Sequence, residues 1–430
     1  MKDPRAFLQS LFYAAIRRAQ PDVIIKDHLP NPPNGRTVVI GAGKAAAAMA
    51  HAVDTWWPQD KPMKGLVVTR YGHTPDREAG YSARIEILEA RHPVPDAAGV
   101  AASERILNLL TDLTADDLVI CLMSGGASAL LTLPIDGVSL EMKQELTREL
   151  LRCGAPIHEM NLVRSQLSKV KGGRLGMLCA PAKLITLAIS DVPGDDPTII
   201  GSGPTIDTQG TPGEALGILQ QYGIEPPPEI RTRLIEANSS IDAPQRAYLS
   251  QQEVRLIATP WLSLCAAAEL ARSCGVNAYV LSDSIEGESI EAAKVHAEIA
   301  KAVRKGYSTF ERPCVILSGG ETTVTIHNPA TATGRGGRAG EFCLGLAQSL
   351  RDEPGIWAIA ADTDGIDGVE DNAGAFVTPD TLMRAQQAGL SLQDHLDRHD
   401  AYAFFKGLDD LEITGPTHTN VNDFRAILVL

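Results

Sequence analysis

Short apolar runs alternate with longer stretches of helical periodicity along nearly the whole chain. The first run, Arg36 to Ile40, meets Gly41-Ala42-Gly43-Lys44 and then an alanine-rich helical stretch to about Trp57. Strand-like runs follow at Gly65 to Thr69, Arg84 to Glu89, Leu118 to Met123 and Lys183 to Ile189. Helical patterns lie at Asp96 to Leu110 and Ser139 to Cys153, and a basic, partly helical segment spans Ile157 to Arg174. This alternation predicts a parallel sheet covered by helices on both faces. The pattern breaks at Gly201 to Gly213 and again at Glu225-Pro226-Pro227-Pro228. It resumes with a strand at Val254 to Ala258, a helix from Pro260 to Cys274, a strand at Val276 to Leu281 and a helix from Glu288 to Lys305. Strands at Cys314 to Leu317, Ile356 to Ala360 and Ala426 to Leu430 complete it. The reading is an α/β protein with a domain boundary near residues 240 to 250.

The length of 430 residues fits two or three domains. Hydrophobic residues make up 44% and aromatic ones 5%, a balance that suits parallel sheets. The formal net charge of -14 argues against a nucleic-acid partner, because such binding rests on Lys and Arg neutralising phosphates. It leaves small anions open, since the field at the site itself decides that. The seven cysteines are odd in number and form no C-x-x-C pair, which argues for a reducing, cytoplasmic setting and against zinc. The N-terminal stretch with Phe7, Leu8, Leu11, Phe12, Ala15 and Ile16 reads as an amphipathic helix rather than a signal peptide. No apolar run reaches the ~20 residues needed to span a bilayer, so no membrane partner is expected.

Candidate chemistry sits in loops that follow strands, where open α/β sheets bind ligands. Gly41-Ala42-Gly43-Lys44 places a lysine at a helix start, where anions are favoured. A plain strand-helix turn with a solvated lysine satisfies the same pattern. Ser124-Gly125-Gly126 and Ser318-Gly319-Gly320, with Glu321 after the second, each follow an apolar strand. Each could form a nest of backbone N–H groups or simply a tight turn. Gly334-Arg335-Gly336-Gly337-Arg338, with Glu341 beyond it, offers two guanidinium groups for bidentate anion contacts. Asp362-Thr363-Asp364-Gly365-Ile366-Asp367-Gly368 brings three carboxylates onto a glycine-bent loop, a composition that suits Mg²⁺ or a network of side-chain turns. Asp191 follows the strand ending at Ile189, and His92 follows the strand ending at Glu89; Asp96 reads as a helix N-cap.

Taken together these segments resemble the glycerate 2-kinase family, whose C-terminal part is called the MOFRL domain. The resemblance rests on GAGKAAAAM, RHPVPD, LMSGGASALL, HEMNLVRSQLSKVKGGRL, ISDVPGDD, GSGPT, LSGGETTVT, GRGGR and DTDGIDG, in family order across residues 38 to about 374. It implies a Rossmann-like N-terminal domain over 1–245 and a smaller C-terminal α/β region over 246–430, the MOFRL domain at about 312–425 and the active site in the cleft between them. It implies ATP-dependent phosphorylation of D-glycerate to 2-phosphoglycerate with Mg²⁺. Lys44, Asp191 and Arg335 become the expected catalytic residues. Gly41, Gly43, His92, Ser124, Gly125, Gly126, Ser318, Gly319, Gly320, Glu321, Arg338 and Glu341 become the expected substrate and nucleotide contacts. Asp362, Asp364 and Asp367 become the expected metal ligands. The family usually follows GRGGR with Asn-Gln-Glu; this chain has Ala339-Gly340-Glu341 and lacks those two amides.

Two other readings fit parts of the sequence. Some family members carry the label hydroxypyruvate reductase, and a loose G-x-G-x-x-A at Gly41 to Ala46 favours a dinucleotide. No acidic residue closes the second strand for an NAD ribose, although Arg70 there suits NADP. A sugar-phosphate-binding regulatory protein would explain the Ser-Gly-Gly turns but not the clustered carboxylates. Monomer and homodimer are both compatible with the sequence.

Overall fold

The computed structural model describes residues 1–76, 83–236, 241, 243–326 and 334–430. These fall into two compact units, Pro21–Ile257 and Met1–Gln20 with Ala258–Leu430. The division differs from the expected one at 245/246, a region in which residues 240 and 242 lie outside the described residues. The helix Pro4–Arg18 joins the C-terminal unit, because Phe7, Leu8, Leu11, Phe12, Ala15 and Ile16 are buried in a cluster with Leu264, Ala267, Phe376 and Phe424. The N-terminal unit extends past residue 245 because its last strand, ending at Ala258, hydrogen-bonds to its sheet.

The unit Pro21–Ile257 is built on β1 (Thr37–Ala42), β2 (Met63–Arg70), β3 (Ile85–Ala90), β4 (Leu118–Met123), β5 (Lys183–Ile189) and β6 (Glu253–Ala258). Their order is β3-β2-β1-β4-β5-β6. The pairings from β3 through β5 are all parallel. Every position of β1 and β4 is buried, which explains their unbroken apolar character. The order reverses direction between β1 and β4. Connections leaving a sheet at such a point open a crevice beyond the strand ends, and ligands of doubly wound folds bind there. A separate helical layer, Leu140–Arg152, Ile157–Gln166, Pro212–Gln221 and Pro228–Glu236, closes around Leu146, Leu150, Val163 and Leu219.

The other unit has a mixed sheet of β7 (Asn277–Glu288), β8 (Cys314–Thr323), β9 (Ile356–Asp362), β10 (Gly374–Val377), β11 (Leu411–Glu412) and β12 (Asp423–Val429), in the order β11-β10-β9-β12-β8-β7. β12 runs antiparallel between β8 and β9, while β7 and β8 are parallel. The helices Pro4–Arg18 and Pro260–Ser273 cover one face. Ser289–Arg304 and Arg338–Leu350 pack in the other core, around Ile316, Phe342, Ala358 and Ile427. Among the described residues no helix is long and apolar enough to cross a membrane, and all seven cysteines are free thiols.

Phe12 is fully buried, its ring 5.6 Å from that of Phe424. Phe12→Ala should therefore cost about 3–5 kcal/mol of stability. Chemical denaturation should show an earlier transition assigned to the unit containing β7 to β12, with the transition of residues 21–257 unmoved.

Candidate functional site

Beyond β1 and β4 the chain makes two glycine turns that are bonded directly to each other. Gly43 has φ 138°, and a Cβ there would stand 2.1 Å from Ser124 Oγ, so a side chain would separate the turns. Ser124 Oγ accepts from Ala45 N at 3.0 Å, and Lys44 N donates to Gly125 O at 2.8 Å. Gly41 lies inside β1, against the Leu122 backbone. Lys44 enters the helix Ala46–Trp56 and is half-buried. A Cβ built on Gly126 would lie 3.0 Å from His92 Cδ2 and 3.5 Å from Lys44 Cγ, so Lys44 and His92 meet over this glycine. Burial pushes His92 down to about 4, helped by the charges of Lys44, Arg70 and His73. The crevice thus concentrates positive charge around a neutral imidazole, a field that favours an anion. Asp191 stands two residues beyond β5, at the same edge of the sheet.

The basic segment forms a second cluster in the same unit. Ser128, in the short helix Ala127–Leu130 that follows Gly126, receives Arg164 Nη2 at 2.6 Å on its hydroxyl. Lys171 Nζ reaches both its carbonyl, at 2.5 Å, and its hydroxyl, at 3.0 Å. Ser202 Oγ lies 2.8 Å from Ser128 Oγ and 3.1 Å from Asn161 Oδ1. These residues were not among the expected contacts. The signal for them was the density of Lys and Arg between Ile157 and Arg174, but sequence could not show that Arg164 and Lys171 turn inward onto Ser128.

In the other unit several expectations are revised. Ser318, Gly319 and Gly320 form no turn: they continue β8 and pair with Arg425, Phe424 and Asp423 of β12. Their backbone groups serve the ladder, and Gly320 is needed because a Cβ would stand 2.2 Å from Ile285 N. Ser318 Oγ bonds inward, 2.9 Å from His296 Nε2. Arg338 is not open to a ligand in this arrangement. Its guanidinium pairs with Asp423 at 2.7 Å, Asp362 at 2.9 Å and Glu321 at 2.5 Å. Burial alone would disfavour its charge, but the three carboxylates hold it protonated. Arg335 differs: its side chain is 58% exposed, with its guanidinium 4.8 Å from the Tyr402 ring centroid and 3.4 Å from Glu370. Glu341 is buried and accepts from His399 Nδ1 at 2.9 Å; burial raises its carboxyl. A Cβ on Gly340 would stand 2.8 Å from Ala401 Cβ, so a larger side chain there would require that contact to move.

The acidic loop does not assemble as a metal-ligand set. Asp367 accepts from Gly340 N at 2.8 Å, Ala339 N at 3.0 Å and Gly337 N at 3.2 Å, capping the helix Arg338–Leu350. Asp364 accepts from Ile366 N and Asp362 from Asp364 N, closing the loop on itself, while Asp362 also holds Arg338. Among the described residues no group of three or more His, Cys, Asp or Glu is placed to hold a metal ion. Side-chain turns and a helix cap consume the carboxylates that composition alone offered to Mg²⁺.

Residues 7–235 match a family described as a domain of unknown function (DUF4147), and residues 314–423 match the MOFRL family. A D-glycerate 2-kinase of Thermotoga maritima is 38% identical, the match covering 97% of this chain and 96% of the relative. A glycerate 2-kinase of Pyrococcus horikoshii is 36% identical, over 92% and 88%. A protein of Agrobacterium vitis that bears the name of a hydroxypyruvate reductase is 49% identical, over 99% and 94%. The crystal structure of the Thermotoga maritima glycerate kinase superposes with a TM-score of 0.87 at 35% identity, covering 99% of each chain.

Two outcomes follow from this geometry. Burial pushes Asp367 up to about 7, against the pull of the Gly340 and Ala339 N–H groups. The folded chain thus keeps this proton to higher pH than the unfolded chain, whose carboxyl titrates near 3.8. The associated stability is fully present below that value and is lost as pH rises through about 7. Asp367→Asn should abolish this slope in thermal denaturation curves taken from pH 4 to 8. It should also lower stability by about 1–3 kcal/mol, because amide N–H groups lose an acceptor. A metal ligand at this position would instead show itself as a raised Mg²⁺ requirement, which we expect to stay unchanged. Secondly, phosphate added to the protein should raise the titration midpoint of His92 in NMR spectra. An anion over Gly126 offsets the cations that hold the imidazole neutral.

Proposed function

The chain belongs to the glycerate kinase family that carries the MOFRL domain, and from that premise we propose that it transfers the γ-phosphoryl group of ATP to D-glycerate, giving 2-phosphoglycerate. The observation that carries this reading is the crevice at the β1/β4 reversal. There two bonded glycine turns carry Lys44 and Gly126, and His92 from the loop after β3 meets Lys44 over Gly126. Phosphoryl transfer asks little covalent chemistry of a protein; it asks for positioning and for positive charge where the equatorial oxygens gain negative charge. Lys44, at the start of the helix Ala46–Trp56, supplies that charge together with the dipole of the helix. His92, neutral at pH 7, donates or accepts a hydrogen bond without adding a second full charge. Asp191 at the end of β5 orients the acceptor hydroxyl and takes its proton as the new P–O bond forms. Arg335, exposed and steadied by Tyr402 and Glu370, remains available to an anionic group of a substrate.

Mg²⁺ would enter as the complex with ATP, where it neutralises phosphate oxygens. The loop from Asp362 to Asp367 does not fit the role of a preformed protein cage for it, and no step depends on that loop. Reduction of hydroxypyruvate by NADPH is the second reading, supported by the name of the Agrobacterium relative and by Arg70 at the end of β2. The charge of the crevice suits phosphates more than it suits a nicotinamide ring.

A paired assay decides between them: ADP release with ATP and D-glycerate, beside NADPH oxidation with hydroxypyruvate. We expect the first and not the second, with phosphorus NMR identifying the 2-phosphate. Lys44→Ala should lower kcat by about 100-fold or more with an unchanged circular dichroism spectrum. A normal kcat in that variant would remove Lys44 from the mechanism.

A further inference from the structure

We infer that Arg164, Lys171 and Ser128, with Asn161 and Ser202 behind them, form an oxyanion-binding subsite next to the Ser124–Gly126 turn. This deepens the kinase reading and rests on it for the choice of ligands.

Three observations carry it. First, Arg164 and Lys171 are cations turned into the protein without acidic partners. Their bonds go to Ser128 and Asn161, and neither has a carboxylate within ion-pair distance among the described residues. Elsewhere in the chain the buried Arg425 and the half-buried Arg338 are paired with carboxylates. An uncompensated buried charge is costly, and it persists where something else, such as a ligand, compensates it. Burial lowers Lys171 well below the ordinary lysine range, with Arg164 and Lys143 adding to the fall, and it lowers Lys143 to about 7. The cluster is therefore short of negative charge.

Second, the backbone around it is held in a sparsely populated conformation. Gly201, Ser202 and Gly203 have φ of 61°, 65° and 58°, and Gly172 and Gly173 have 61° and 85°. The two left-handed turns clasp each other, Gly172 N to Ser202 O at 3.0 Å and Gly173 N to Gly203 O at 2.7 Å. Ser202 is not a glycine, so its conformation is strained, and strain of this kind collects where surrounding structure fixes a functional side chain. Here the clasp sets Lys171 and Ser202 around the Ser128 hydroxyl.

Third, donors are left over. Arg164 has five N–H groups and uses two contacts, to Asn161 and Ser128; Lys171 uses its ammonium on Ser128 alone. The spare donors are a planar fork and a point charge, a pair suited to the oxygens of a carboxylate or a phosphate. Ser128 lies two residues past Gly126, which continues the crevice of Lys44 and His92.

The shared chemistry is an oxyanion, and its source is either the carboxylate of the hydroxy-acid acceptor or a phosphate of the nucleotide. Calorimetric binding without turnover separates them, using D-glycerate, inorganic phosphate and a non-hydrolysable ATP analogue on the full chain. Arg164→Gln should weaken one probe by about tenfold to a hundredfold. Loss confined to glycerate assigns the carboxylate, and loss of phosphate and the ATP analogue assigns the nucleotide. Should Arg164→Gln fail to fold, Arg164→Lys keeps the charge without the fork, and Ser128→Ala removes the shared hydroxyl. Both should show a smaller loss of the same probe. Unchanged affinities for all three probes in a folded variant overturn the subsite, as does a wild-type chain that binds none of them. Failure of the kinase reading looks different: the probes still bind to the wild type, Arg164→Gln still weakens one, and no ADP is released with ATP and glycerate.

Discussion

The contact on which the site in residues 21–257 depends is the lacing of two turns across the β1/β4 boundary. Ser124 satisfies a helix-start N–H of the other turn, Ala45 N, and Lys44 N is tied to Gly125 O. Each turn alone is a common device. Bonded together, they fix the spacing between the lysine and the short helix that carries Ser128, and His92 packs over Gly126 from the loop after β3. The parallel register makes this possible, since Ala42 and Met123 are direct neighbours at the ends of their strands. Anything that pushed the turns apart, a methyl group on Gly43 included, would break the proposed anion site and its link to the Arg164 cluster at once.

The unit with β7 to β12 solves a different electrostatic problem. Its interior carries Asp362, Asp367, Asp423, Glu341, Arg338 and Arg425, all deeply buried except Arg338. Paired arginines, a histidine and helix-end N–H groups absorb the charge. The outcome is a buried network of paired charges that leaves Arg335 at the surface. The packing is close at the start of the helix Arg338–Leu350 as well: Gly340 faces Ala401, so a larger side chain there would have to move that contact too.

Most of this architecture was legible in the pattern of apolar residues. The strands Leu118–Met123 and Lys183–Ile189 match the apolar runs to the residue, because a strand buried along nearly its whole length reads as an apolar run between polar breaks. The short strands Gly374–Val377 and Leu411–Glu412 were not, since four and two residues carry no periodicity. Of the candidate site, the lysine after two glycines and the first Ser-Gly-Gly turn were visible. The second Ser-Gly-Gly has the same letters but is a strand, because β12 supplies partners from a hundred residues away. The acidic loop misled for a related reason. Composition shows how many carboxylates are present, but only tertiary structure shows that Asp367 is spent on a helix end and Asp362 on Arg338.

The helix Pro4–Arg18 closes over a face completed by β12, the last strand of the chain. During synthesis the residues between them, including the whole unit 21–257, leave the ribosome first. At about 5–20 residues per second the apolar side of that helix waits roughly 20 to 80 s for Phe424 to exist. The nascent chain therefore carries Phe7, Leu8, Leu11 and Phe12 as an unclaimed sticky end while an entire neighbouring unit folds. That is the stretch a chaperone would be expected to hold, and the docking of this helix onto β12 is the step that withdraws it.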